Sequence, residues 1–138
     1  MRTKAPLVLM EQLVMLLVFA LAAAVCVRAF ALADEMSRKA EDLDQAVIAA
    51  EQLAETLRAS GGDYEQAAQW LGGSWDGATL GVQYDQDWQR TQQDPRYVAL
   101  AVPADSGQPL LGTASVWVCA ADGTYLWGLT AAWQEAEP

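Results

Sequence analysis

The sequence predicts an α+β fold: a long N-terminal helix, with a transmembrane half and an amphipathic half, packed on a small antiparallel sheet of three to four strands. Three observations predict it. Residues 7–33 form an apolar run, and a bilayer crossing takes about 20 such residues. Neither glycine nor proline occurs between Leu7 and Ser60, so nothing breaks a helix there. Beyond Gly61, short runs rich in β-branched and aromatic residues alternate with glycine-containing turns.

The chain divides accordingly. Residues 1–6 are a short basic segment, 7–33 a transmembrane helix, 34–60 its amphipathic extension, and 61–138 a small extracytoplasmic sheet domain. Arg2 and Lys4 precede the apolar run, and Asp34, Glu35, Glu41, Asp42 and Asp44 follow it. Basic flanks stay in the cytoplasm, so the expected topology is a single pass through the cytoplasmic membrane with the C-terminal body outside. A cleaved secretory signal is the competing reading. Arg2 and Lys4 would then be its basic region, and Ala31 and Ala33 the small residues of a cleavage site before Asp34. Against it stand the early Glu11 and Gln12, the late Arg28, and a run longer than an ordinary signal core.

Past the apolar run, Met36, Ala40, Leu43, Val47, Ala50, Ala54 and Leu57 recur at alternating spacings of four and three. That places them on one helix face, with Glu41, Asp42, Gln45, Gln52 and Glu55 opposite. The stripe suits a coiled-coil dimer or packing on this chain's own sheet; its small alanines favour the sheet. Ser60-Gly61-Gly62 ends the helix, because glycine tolerates the left-handed turn that follows one.

Asp63 can cap a short helix reaching about Leu71. Strands are expected at residues 80–84, 97–102, 111–120 and 124–133. Asp122-Gly123 is a strong hairpin signal. A two-residue turn there sets Val118 opposite Trp127 and Val116 opposite Leu129, all four facing the core, with Trp117 beside Gly128 on the other face. Val98, Leu100 and Val102 are expected on the core face of the neighbouring strand.

Charge excludes some functions. Eighteen acids stand against eight bases, and from Gly61 onward Arg90 and Arg96 face ten acids. Such a surface repels nucleic acid, so no nucleic-acid partner is expected. With no histidine, no Ser-His-Asp set can form, and Cys119 has no imidazole to activate it. No enzyme activity and no cofactor are expected. Cys26 and Cys119 read as free thiols, since a bridge would tie a membrane helix to a distal strand. Asp85 and Asp87, with Asp94 nearby, are a weak calcium candidate, because that ion takes six to eight oxygens. Most of the six tryptophans are expected in the core of so small a domain.

Glu11 is the residue most in need of a role. An ionisable group at the centre of a membrane helix costs about 2.5–3.5 kcal/mol on insertion scales. It therefore calls for a cation, unless it lies at the cytoplasmic interface with the span starting at Leu13.

Arg2, Lys4, the opening Leu7-Val8-Leu9-Met10-Glu11, the helical continuation and the following sheet together resemble type IV pilins and the pseudopilins of type II secretion and DNA-uptake machines. The N-terminal likeness covers about the first third of the chain, and the sheet is similar in order and size. The resemblance implies a structural subunit with Arg2 and Lys4 in its leader and a processing site between Pro6 and Leu7. It makes Glu11 the glutamate that neutralises a neighbouring subunit's N-terminal amine. Its implied partners are other pilin-like subunits, a membrane assembly platform and membrane lipid. One position departs: the family's peptidase cuts after glycine, and here Ala5-Pro6 precedes Leu7. The small size and the altered junction point to a minor subunit. The reading from another class is a solitary exported or membrane-anchored extracytoplasmic binding domain, with residues 1–33 as signal or anchor.

Overall fold

The computed structural model describes residues 4–136, so Arg2 lies outside the described residues. The elements are α1 (Ala5–Ala59), α2 (Tyr64–Leu71), β1 (Ser74–Trp75), β2 (Leu80–Tyr84), β3 (Tyr97–Ala104), β4 (Leu111–Ala120) and β5 (Tyr125–Gln134). The strands form one antiparallel meander in the order β1-β2-β3-β4-β5. The sheet therefore has five strands rather than three or four. The additional one, β1, is two residues long and pairs Ser74 with Gly81 and Trp75 with Leu80. No alternation can show in two residues.

The chain comprises two compact units, residues 1–40 and 41–138. In the first, α1 starts at Ala5 and includes Pro6. Proline is tolerated in a first helical turn because the amide it lacks has no intrahelical partner there. Residues 4–41 are all exposed.

The second unit holds the core. Here α1 buries Ala46, Ala49, Ala50, Leu53, Ala54 and Leu57. The expected stripe is correct at Ala50, Ala54 and Leu57 and wrong further up. Leu43 is exposed and Val47 half-buried, while Ala46, Ala49 and Leu53 take the centre. At about 100° per residue, the buried face is turned by about 60° from the expected one. Asp42 and Gln45 are accordingly half-buried rather than on the outer face. The helix stops in a Schellman motif: Gly62 N–H donates to Leu57 C=O at 2.9 Å and Gly61 N–H to Arg58 C=O at 3.0 Å. Gly61 and Gly62 supply the positive φ angles, 64° and 85°.

Asp63 caps α2, its Oδ1 accepting from Gln66 N–H at 3.0 Å. In the sheet, Val116 pairs with Leu129, Trp117 with Gly128 and Val118 with Trp127, as expected. The turn differs. Ala120 N–H donates to Thr124 C=O and Gly123 N–H to Ala120 C=O, both at 2.9 Å, with Gly123 at φ 91°. This is a three-residue loop closed by a left-handed glycine. The ladder then shifts between Val118 and Cys119, where Cys119 pairs with Tyr125. That bulge absorbs one residue and restores the register a two-residue turn would have produced.

On β3 the period is right and the phase reversed. Ala99 pairs with Val118 and Ala101 with Val116, so Tyr97, Ala99 and Ala101 are buried. Val98, Leu100 and Val102 lie half-buried on the opposite face. Among the described residues, half of the twenty buried apolar ones are alanine, so much of the core volume falls to a few large side chains. Of the tryptophans, Trp133 is buried and Trp70 exposed, and Trp75, Trp88, Trp117 and Trp127 are half-buried.

Tyr64, Tyr84 and Tyr97 all have pKa values raised by burial. A nearby carboxylate adds to the effect at Tyr64 (Glu135) and at Tyr97 (Asp42). On unfolding these phenols return to a pKa of about 10, so in alkali the unfolded chain loses its protons first. The stability they contribute is complete below about pH 10 and declines as pH rises toward their folded values. The melting temperature of the full chain in detergent is expected to fall between pH 9 and pH 11. A flat profile would contradict burial of these phenols.

Candidate assembly segment

Glu11 stands two turns into α1, among Leu7, Val8, Met10, Val14 and Met15, which line a shallow hollow with it and Lys4. Leu7, Val14 and Met15 are 71 %, 54 % and 61 % exposed, so the carboxylate lies on an unburied apolar surface. Pro6 and Leu7, the residues of the expected processing site, lie in the first turn of the same helix. Ala31 and Ala33, the alternative cleavage residues, lie in unbroken helix, with no turn or loop at that point. This is the one helix among the described residues long and apolar enough to cross a membrane. By composition it fits a membrane anchor or a signal segment.

Residues 7–33 contain two ionisable groups besides the thiol of Cys26: Glu11 and Arg28. Among the described residues, neither joins an ion pair; the three pairs are Arg38 with Asp34, Lys39 with Glu35, and Arg58 with Glu55. Arg28 is visible in the sequence as a lone charge late in the apolar run, but sequence reasoning assigned it no partner.

The sheet domain offers two further surfaces. Its outer face presents Val98, Leu100 and Val102 beside Cys119, Trp117 and Ser115 across the β3–β4 ladder. Ser115, Trp117, Tyr125, Gly128 and Thr130 border an open groove of about 440 Å³ there. Burial first, and the Asp122 charge second, raise the pKa of Cys119, so its thiol stays protonated at neutral pH and is a poor nucleophile.

The second surface is the loop between β2 and β3, where Asp85, Asp87 and Asp94 border a hollow of about 600 Å³. Asp85 Oδ1 already accepts from Asp87 N–H and Gln89 N–H, both at 2.9 Å, so this oxygen holds the turn. No group of three or more potential metal-ligating side chains occurs among the described residues. Trp88 pins the loop to the helix. At φ 58° it stacks on Tyr97 with ring centres 3.9 Å apart and donates from Nε1 to Asp42 Oδ1 at 3.3 Å. Sequence reasoning missed this strap, because a left-handed tryptophan has no sequence signature.

No family model matches this chain, and neither a curated protein nor a solved structure is significantly similar to it.

Proposed function

We propose that the chain is a pilin-like or pseudopilin-like structural subunit, held in the cytoplasmic membrane by residues 7–33 until it joins an assembly. The carrying observation is Glu11: a carboxylate on an exposed apolar helix that continues without a break into the half bearing the sheet. Such a carboxylate is costly in lipid and becomes tolerable beside a cation, which a packed assembly can supply. The sheet domain adds a folded outer body, and the subunit is non-catalytic. Its partners are other subunits and a membrane platform.

Intact mass of the native protein, taken from separated membranes and medium, tests this reading. Retention of Glu11 in a membrane-held chain is expected. A mature chain starting at Asp34 and free in the medium would overturn it.

A second reading has its own observation. The apolar outer face around Trp117 and Tyr125 would serve a solitary anchored domain that binds a partner through its sheet. Neighbouring reading frames separate the two: an assembly ATPase, a platform protein and several similar short chains favour the subunit, and an isolated gene favours the binding domain.

A further inference from the structure

Glu11 and Arg28 stand 17 positions apart on one helix, which is about 25 Å at 1.5 Å per residue. No side chain bridges that gap, so they cannot meet within one chain. The 25 Å is also less than the hydrocarbon thickness of about 30 Å, so the two charges cannot both clear the apolar layer without bending toward its edges. Arginine has the reach for this and glutamate much less. Both are exposed, and among the described residues both lack a counter-charge.

We propose that Glu11 of one copy pairs with Arg28 of a second copy, packed parallel to it and shifted by 17 residues along the helix axis. This rests on the subunit reading above and names its partner. Charge complementarity selects the arrangement. Parallel helices in register set Glu11 beside Glu11 and Arg28 beside Arg28, which repel. Antiparallel helices would satisfy both pairs, but copies that insert with the same basic flank inside are parallel. Between Glu11 and Arg28, the two charges of the apolar run, the shift alone joins unlike charges. Seventeen residues also fall about 100° short of five whole turns, so the two groups lie on different helix faces. Each copy then uses one face toward one neighbour and a second face toward the next. That is a heterologous contact, which repeats in an open filament and need not close.

Arg28 supplies a permanent cation that needs no processing of the chain. A shift of about 25 Å nearly equals the apolar thickness, so the pair joins a copy in the membrane to one being drawn out of it. A chain that pairs with itself recurs along the assembly, in place of the minor role its size suggests.

Cysteine crosslinking of the full chain in native membranes tests this. In a Cys26→Ala, Cys119→Ala background, Val14→Cys with Ala31→Cys places thiols one turn beyond each charge, at the same level after the shift. Oxidation is expected to give a ladder of multimers from the double-cysteine chain and no dimer from either single one. Glu11→Gln or Arg28→Gln should each lower that yield about tenfold or more, because one charge of a packed pair is stranded. Glu11→Arg with Arg28→Glu should restore it. Dimers from Val14→Cys alone would show copies in register and overturn the shift, leaving the subunit reading intact. A ladder indifferent to the charge changes, or one the swap fails to restore, would overturn the pairing. No multimers from a membrane-retained chain would overturn pairing and assembly together.

Discussion

Leu53→Asp is expected to unfold the sheet-bearing half of the chain. Leu53 is 1 % exposed and is one of the six largest fully buried side chains. Its neighbours on the helix face are Ala49, Ala50, Ala54 and Leu57, none of which can pair with a carboxylate. Truncating such a leucine costs about 2–5 kcal/mol. An unpaired buried charge adds several more, or forces the group to take up a proton. A small domain has about 5–15 kcal/mol in total, so most of its stability goes. Ile48→Asp is the control. It is one position from Ala49 on the same helix but 55 % exposed, and should move the melting temperature little. Val47→Asp, at a half-buried position, should fall between the two. Near-ultraviolet circular dichroism of the full chain in detergent reads all three. A Leu53→Asp chain that melts with the wild type would show that this face is not the packed one.

Trp133→Ala is expected to cost about 3–5 kcal/mol, the range for removing a buried tryptophan. Trp133 is 8 % exposed and belongs to the core cluster, with Tyr64 edge-on at 6.2 Å between ring centres. Gly62 and Gly112 leave room for it: a Cβ at either position would land inside the Trp133 indole. Gly112→Val should therefore expel the ring and destabilise by about 1–3 kcal/mol or more. In a Trp133→Ala background the same change should cost far less, because the obstructing ring is gone. The two substitutions are expected to be strongly non-additive. Additive melting shifts would contradict the close approach of Gly112 and Trp133.

The features legible in the sequence were those with local causes. Asp63 caps α2 because a carboxylate before a helix accepts its free amides, and Gly61-Gly62 stops α1 because both residues take positive φ. β2 and β4 run over the expected residues, since their alternation is long enough to show. Features set by distant partners were not legible. Val98, Leu100 and Val102 read as core because large β-branched and aliphatic side chains suit burial. The ladder instead puts Ala99 and Ala101 opposite Val118 and Val116, and residue size alone cannot tell which parity faces in. The helix stripe failed at Leu43 and Val47 for the same reason: its centre is a run of alanines with little hydrophobic contrast. In the candidate segment, Glu11 was legible as a charge out of place. Arg28 was legible only as a second lone charge: its spacing from Glu11 follows from the helix, but a partner on another chain leaves no mark in one sequence.

On the subunit reading, Glu11 serves assembly and not folding. Glu11→Ala removes a costly charge from an apolar helix, so membrane insertion should hold or improve. Crosslinking wild type and variant in native membranes with a bifunctional reagent measures the rest. Glu11→Ala is expected to be retained in the membrane, with an unchanged melting temperature, and to form several-fold fewer adducts with partner subunits. Equal adduct yields from both chains would contradict it and make Glu11 a bystander at the membrane interface.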